Sequence, residues 1–192
     1  MKRSVFVTLL LLLSLTLTVT FPAYAKITLK LAVVTPPHHA YALGAKEFAR
    51  LVKNGTGGEV IIKVYAGGQL GKGERELLEG LQLGTIHLAV TATGPVSNFS
   101  PSMGVVDLPF LFTSPEQDDN NLDGHVRREL PEDLETARIK GLSIIENGFS
   151  NLTNTRTRHR KPVDFKALNF RTRENPVHLA SVRQLGAQAV PM

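Results

Sequence analysis

The chain has 192 residues, a formal net charge of +5 and no cysteine. That length suits one domain or two small ones. Without cysteine, the chain has no disulfide, no thiol nucleophile and no thiolate metal site. Its basic residues are scattered except at residues 156–161, where neither interleaved aromatic residues nor a nucleic-acid motif occurs. We therefore predict no nucleic-acid partner.

Residues 1–25 have the pattern of a secretory signal peptide. Lys2 and Arg3 precede an apolar run at residues 5–21, and Ala23-Tyr24-Ala25 supplies small residues for a cleavage site. We predict cleavage after Ala25, with a membrane-anchoring helix or an uncleaved tail as the alternative. Loss of the two basic residues lowers the net charge from +5 to +3. An exported chain without disulfides fits a bacterial periplasm, so we predict a periplasmic location.

Residues 26–149 are predicted to form a first α/β lobe. Strands are expected near residues 27–34, 60–64 and 86–90, which are apolar or alternate with period two. Between them, apolar residues recur at helical spacing, and glycines follow each helical stretch. This β-α-β-α-β order with short connections favours a parallel sheet.

Three loops follow the predicted strands, at residues 35–38, 66–71 and 91–95. They are rich in glycine, proline and small polar residues, as is typical of loops at the rim of a site. Open α/β sheets bind ligands beyond the carboxyl ends of their strands. We therefore expect ligand contacts from this edge, with His38 and Gly94 as candidates. For His38, a solvated helix cap is the alternative.

The rest of the first lobe is predicted to be mainly helical. Helices are expected near residues 115–122 and 125–139, with a kink at Pro131 because proline lacks the N–H for the preceding turn. A short strand is predicted at residues 142–146. We place the lobe boundary near residues 148–150.

Residues 150–192 are predicted to open a second α/β lobe. A turn at residues 162–165 precedes a strand at residues 168–171. Asn175 is a candidate N-cap, with Pro176 at the first helical position. Gly186 is predicted to end the helix, and the buried stripe of that helix is predicted to consist of Leu179, Val182 and Leu185.

Side chains that could perform chemistry are present but do not form a reactive pattern. No pair of the six histidines has metal-ligand spacing. Residues 67–73 are glycine-rich but lack the ending of a phosphate-binding loop. Glu74, Glu76 and Glu79 share a predicted helix with basic neighbours, which indicates a solvated face. No nucleophile–base motif occurs. We predict no enzyme activity, no metal and no cofactor.

Eight segments carry a resemblance to a known family: residues 68–71, 79–86, 107–112, 146–149, 164–171, 174–176, 186–187 and 191–192. In chain order, they resemble the solute-binding proteins of tripartite ATP-independent periplasmic (TRAP) transporters, the DctP-like family. The likeness covers essentially the whole chain after the predicted signal peptide. It is specific because the segments occur together. The resemblance implies a periplasmic-binding-protein-like α/β fold whose two lobes close over a small organic acid and deliver it to membrane permease subunits.

The resemblance implies a ligand-binding role for Arg171. In the family, an arginine at the end of the strand before the Asn-Pro helix holds the ligand carboxylate. The planar guanidinium offers two parallel donors that match a carboxylate, which lysine does not. We predict Arg171, Asn175, His38 and Gly94 as ligand-binding residues. An ordinary solvated arginine is the alternative for Arg171.

The chain departs from the family pattern at three points. Ser150 stands where the family commonly has a second arginine. Ala167 replaces a usual glycine, which would strain a turn that requires positive φ. The family also continues beyond the segment matching residues 191–192, so we expect a C-terminally truncated receptor with an incomplete second lobe. The alternative function is a non-functional remnant that binds no ligand.

Overall fold

The computed structural model describes residues 25–112, 114, 132–155 and 158–192. The predicted signal peptide, the predicted helix near residues 115–122 and the predicted kink at Pro131 fall outside these ranges. Within them, no helix combines the length and the apolar character needed to cross a membrane.

The first sheet has three parallel strands, β1 (Ile27–Val33), β2 (Val60–Tyr65) and β3 (Leu88–Val90), in the order β2-β1-β3. Central β1 pairs with both neighbours, with Leu31 opposite Val64 on one side and Leu88 on the other. A strand enclosed in this way is apolar on both faces, which explains the sequence of its second half. The predicted parallel sheet is confirmed, although Ile86 lies before β3 and not within it.

The two connecting helices cover opposite faces of this sheet. Helix α1 (Ala40–Gly55) packs on Leu31 and Val33, whereas helix α2 (Glu74–Gln82) packs on Ala32. Successive residues of a strand point to opposite faces, so the apolar run of β1 supplies both cores. In α2, Leu77 is almost wholly buried. Both helices occur where the apolar periodicity predicts them.

A second layer follows β3. It consists of the short helix α3 (Thr93–Val96) and two 3-10 helices, Pro101–Asp107 and Asp133–Ala137. The predicted strand at residues 142–146 is wrong, since this segment pairs with none of the described strands. It is held instead by the side chain of Ile144. The core of this layer is formed by Leu78, Val96, Met103, Leu134, Ile139 and Ile144.

The second unit contains the 3-10 turn Pro162–Phe165, strand β4 (Asn169–Thr172), helix α4 (Pro176–Gln184) and strand β5 (Gln188–Pro191). The two strands are parallel. Its core consists of Phe170, Val182 and Ala187, with partly buried apolar neighbours. Leu179 and Leu185 of the predicted stripe are partly exposed, so that stripe is narrower than expected.

The ends of α4 agree with the prediction. The Oδ1 of Asn175 accepts hydrogen bonds from the backbone N–H groups of Val177 and His178, at 2.9 and 3.3 Å, so Asn175 is the N-cap. Gly186 ends the helix with φ of 81°. Ala167 also has positive φ, 60°, and its N–H bonds to the carbonyl oxygen of Gly186 at 3.1 Å. The turn therefore requires the conformation that the usual glycine would favour.

Candidate ligand site at the strand ends

The strand order of the first sheet marks the carboxyl end of β1 as a candidate ligand site. The chain passes from β1 to β2 on one side and then to β3 on the other, so the order reverses around the central strand. Ligand sites of open α/β sheets lie beyond such a reversal. The loop after β2 also closes onto this edge, because the N–H of Gly67 donates to the carbonyl oxygen of Thr35 at 2.8 Å. All three predicted rim loops therefore meet here.

Two helix starts add polar groups to this edge. Tyr41, in the first turn of α1, is 9% exposed. Glu74 begins α2, and its Oε1 accepts the backbone N–H of Ala92 at 3.0 Å, which ties α2 to the end of β3. The predicted solvated face is therefore wrong for Glu74, whose carboxylate has a structural partner. The hydroxyl of Thr35 is buried without a hydrogen-bond partner among the described residues.

A charged residue of the second unit acts on this same edge. Burial raises the pKa of Tyr41, the positive charge of Arg173 opposes that rise and the negative charge of Glu74 adds to it. Arg173 follows β4, whereas Tyr41 and Glu74 belong to the first sheet's helices. The end of β4 thus lies within electrostatic reach of the first sheet's rim.

Arg171 occupies the solvent-exposed face of β4. Its strand neighbours Phe170 and Thr172 are buried, so the alternation of the strand turns Arg171 outward. In the described part of the chain, its guanidinium makes no hydrogen bond or ion pair. The group therefore keeps its donors available for an anion at the end of β4.

Asn175 and Gly94, two of the predicted ligand-binding residues, touch each other. Asn175 is 0% exposed. A Cβ atom at position 94 would lie 2.7 Å from Asn175 Nδ2 and 3.0 Å from Asn175 Cβ. In this arrangement the side chain of Asn175 is covered by the chain's own residues. Ligand contact by Asn175 or Gly94 stays a prediction.

His38 lies exposed in the turn before α1. The N-cap of α1 is the next residue, His39, whose Nδ1 accepts the backbone N–H of Tyr41 at 3.2 Å. The cap role considered for His38 is therefore wrong by one position. Among the described residues, no hydrogen bond or ion pair joins His38 or Arg171 to the Asn175–Gly94 pair. A ligand contact from His38 stays a prediction.

Sequence reasoning missed Tyr41, Glu74 and Arg173 as members of this edge. Tyr41 fits the apolar stripe of α1 equally well, and Glu74 resembles its solvated neighbours. Arg173 carried a readable signal, a second arginine two residues after Arg171 at a strand end. Across the described ranges, no three histidine or acidic side chains are placed to hold a metal ion.

Comparison with known proteins found a family model and several relatives that match most of the chain. The model of the family described as bacterial extracellular solute-binding protein, family 7, matches residues 31–192. A solute-binding protein of Verminephrobacter eiseniae is 34% identical over 170 residues, which cover 88% of this chain and 50% of that protein. The 2,3-diketo-L-gulonate-binding periplasmic protein of Escherichia coli is 33% identical over 150 residues, covering 78% of this chain and 45% of that protein.

A solved structure shares the fold as well. The TRAP periplasmic solute-binding protein from Polaromonas sp. JS666, bound to D-erythronate, superposes with a TM-score of 0.82 at 35% identity, covering 87% of this chain and 55% of that one. The chain therefore spans about half the length of the relatives it matches. Since the family match extends over both sheets and the edge between them, the chain belongs to family 7 of the bacterial extracellular solute-binding proteins, the DctP family.

Proposed function

We propose that this chain acts as the solute-binding component of a TRAP transporter, which captures a small organic acid in the periplasm and delivers it to membrane permease subunits. The observation that carries the proposal is Arg171, exposed and unpaired among the described residues, one residue before the end of β4. The family match supports a transport receptor and not an enzyme. The relatives named above bind D-erythronate and 2,3-diketo-L-gulonate, and both ligands are carboxylates with further oxygen substituents.

The guanidinium of Arg171 is proposed to hold the carboxylate through two parallel N–H···O bonds. Hydrogen bonds to charged groups are worth roughly 1.5–3 kcal/mol each, about twice the neutral kind. Arg173 adds positive charge at the same strand end and draws anions toward it. The opposite wall is the first sheet's rim, where His38 and Gly94 remain proposed contacts.

Isothermal titration calorimetry tests the proposal with two proteins. One is this chain, and the other is this chain continued by the C-terminal half of the Verminephrobacter relative. The ligands are D-erythronate, 2,3-diketo-L-gulonate and a C4-dicarboxylate. In the continued protein, where the second half can cover the ligand, we expect Arg171→Ala to weaken acid binding by roughly 2–5 kcal/mol, as truncation of one partner of a buried charge pair does. The matched control is Arg183→Ala, an exposed arginine in the last turn of α4.

Each outcome has a defined meaning. Unchanged affinity in Arg171→Ala removes Arg171 from the site. If no acid binds to either protein, the receptor function fails. If the continued protein binds an acid and this chain alone does not, the remnant alternative describes the chain.

A further inference from the structure

We infer that Asn175 is a positioning residue, whose side chain seats against Gly94 and fixes the distance between the two strand ends that form the ligand site. The inference rests on the proposed function and assigns Asn175 a role that needs no contact with the ligand. It concerns the joint between the carboxyl end of β3, followed by Gly94, and the carboxyl end of β4, followed by Asn175.

The fit at the joint leaves no spare room. A methyl group at position 94 would lie 2.7 Å from the Nδ2 of Asn175, 3.0 Å from its Cβ and 3.1 Å from its Cγ. Separations under 3.0 Å force atoms to shift, and protein interiors have few voids to absorb such a shift. Gly94 does not have a positive φ, so its backbone conformation is open to other residues. The reason for a glycine at this position is therefore space and not backbone conformation.

Helix capping alone does not explain an asparagine at position 175. Serine caps helices about as well as asparagine does. Asparagine adds an Nδ2 group that is buried here without a hydrogen-bond partner among the described residues. Burial of an unpaired amide opposes folding. Compared with serine, the longer side chain of asparagine provides the amide surface that packs against Gly94.

Neighbouring contacts hold the same short segment on the first unit. The Nδ2 of Asn98 donates to the carbonyl oxygen of Glu174 at 2.8 Å. The carboxylate of Glu174 lies 3.8 Å from the guanidinium of Arg75. These contacts flank Asn175 on the side of the strand that carries Arg171. The position of Arg171 relative to the first sheet is therefore set at this joint.

Contacts on the helical side of Asn175 complete the joint. A Cβ atom at position 104 would lie 3.4 Å from a methyl group of Val177, an ordinary van der Waals distance, so the backbone at Gly104 lies beside the first turn of α4. The Nε2 of His178 lies 3.8 Å from the Oδ1 of Asp107. The first turn of α4 is thus seated along α3 and the 3-10 helix Pro101–Asp107, with the fully buried Asn175 at its start.

A size-compensation experiment tests the inference. Gly94→Ala places a methyl group in the space of the Asn175 amide, and Gly94→Ala/Asn175→Ser removes that amide while keeping a capping hydroxyl. Because the chain has no cysteine, spin labels at Lys53→Cys and Gln184→Cys report one distance between the units by pulsed electron paramagnetic resonance. The matched control is Gly44→Ala, in α1, where a Cβ atom meets nothing within 4 Å.

We expect Gly94→Ala to lengthen or broaden the distance distribution, and the double variant to restore it. In whichever of the two calorimetry proteins binds an acid, Gly94→Ala should weaken the affinity by at least about tenfold, equal to about 1.4 kcal/mol. The double variant should restore the affinity. A distance unchanged by Gly94→Ala overturns the inference, and so does a double variant that resembles Gly94→Ala. The distance measurement needs no ligand, so absence of binding by the parent protein counts against the proposed function alone.

Discussion

The two units of the chain differ in how their sheets are held. In the first unit, β1 pairs with a strand on each side and carries a helix on each face. In the second unit, β4 and β5 pair with each other over four positions, and the described residues contribute one small core. Two-stranded sheets are marginal unless they pack on another element. The second unit therefore depends more on its contacts with neighbouring structure.

Asn175 shows where that dependence is concentrated. It is among the most deeply buried side chains of the described residues, yet it lies at the boundary between the units and not in a hydrophobic core. The first unit's order comes from apolar burial along β1. The order of the second unit comes in part from a polar residue seated on Gly94. The comparison teaches that the proposed ligand site would depend on the joint between the units as well as on each sheet.

The largest effect is expected when the two cores are compared directly. Leu77→Ala opens a cavity beneath the first sheet and should lower the free energy of unfolding by about 2–5 kcal/mol. Val182→Ala removes less buried surface from the smaller core and should cost about 1–2 kcal/mol. Urea denaturation followed by far-ultraviolet circular dichroism measures both, with exposed Leu43→Ala as the control. Equal losses for Leu77→Ala and Val182→Ala would break the comparison.

The sequence predicted the elements that have strong local patterns. Helix α2 was expected between the second and third strands and occupies Glu74–Gln82 there, because its apolar spacing and flanking glycines are local features. The Asn175-Pro176 helix start is likewise local chemistry. By contrast, α3 spans four residues and is too short to show a period. Within residues 142–146, Ile144 is buried by packing, whereas Leu142 and Ile145 are exposed, and periodicity alone cannot distinguish such packing from strand pairing.

The site was predictable in part. The loops at the strand ends follow from the β-α-β order, and Arg171 follows from its place in the family pattern. The partnership of Asn175 with Gly94 does not, because it joins residues from two separate sheets. The link between Glu74 and Ala92 escaped because it joins the start of a helix to a loop 18 residues further along the chain. Tertiary contacts of this kind leave no periodic trace in either segment.

A smaller effect is expected from relief of strain in the second unit. Ala167 has φ of 60°, in the left-handed region that costs a residue with a Cβ atom roughly 1–2 kcal/mol. Ala167→Gly removes that cost but makes the unfolded chain more flexible, by about 0.4–1 kcal/mol. We expect a net gain of about 0.5–1 kcal/mol in the free energy of unfolding, measured by urea denaturation. Gly44→Ala serves as the opposite exchange at an unstrained helical position, and a loss of stability in Ala167→Gly would contradict the strain.

The smallest effect concerns Asp164, whose carboxylate holds the turn that leads into β4. Its Oδ2 accepts the backbone N–H groups of Arg160 and Lys161, at 2.8 and 2.9 Å. These two hydrogen bonds favour the charged form and lower the pKa of Asp164 from its ordinary value of 3.8. Stability from a lowered carboxyl pKa is fully present above the ordinary value and is lost as the pH falls through the folded value.

Thermal unfolding of Asp164→Asn between pH 7 and pH 3, compared with the parent chain, measures this contribution. The parent should lose more stability over that range than the variant, because the amide does not titrate. Asp133→Asn is the control in the first unit, an exposed carboxylate at the start of a 3-10 helix that accepts no hydrogen bond among the described residues. If both variants follow the parent's pH dependence, the turn does not draw stability from Asp164, and the second unit rests still more heavily on its joint with the first.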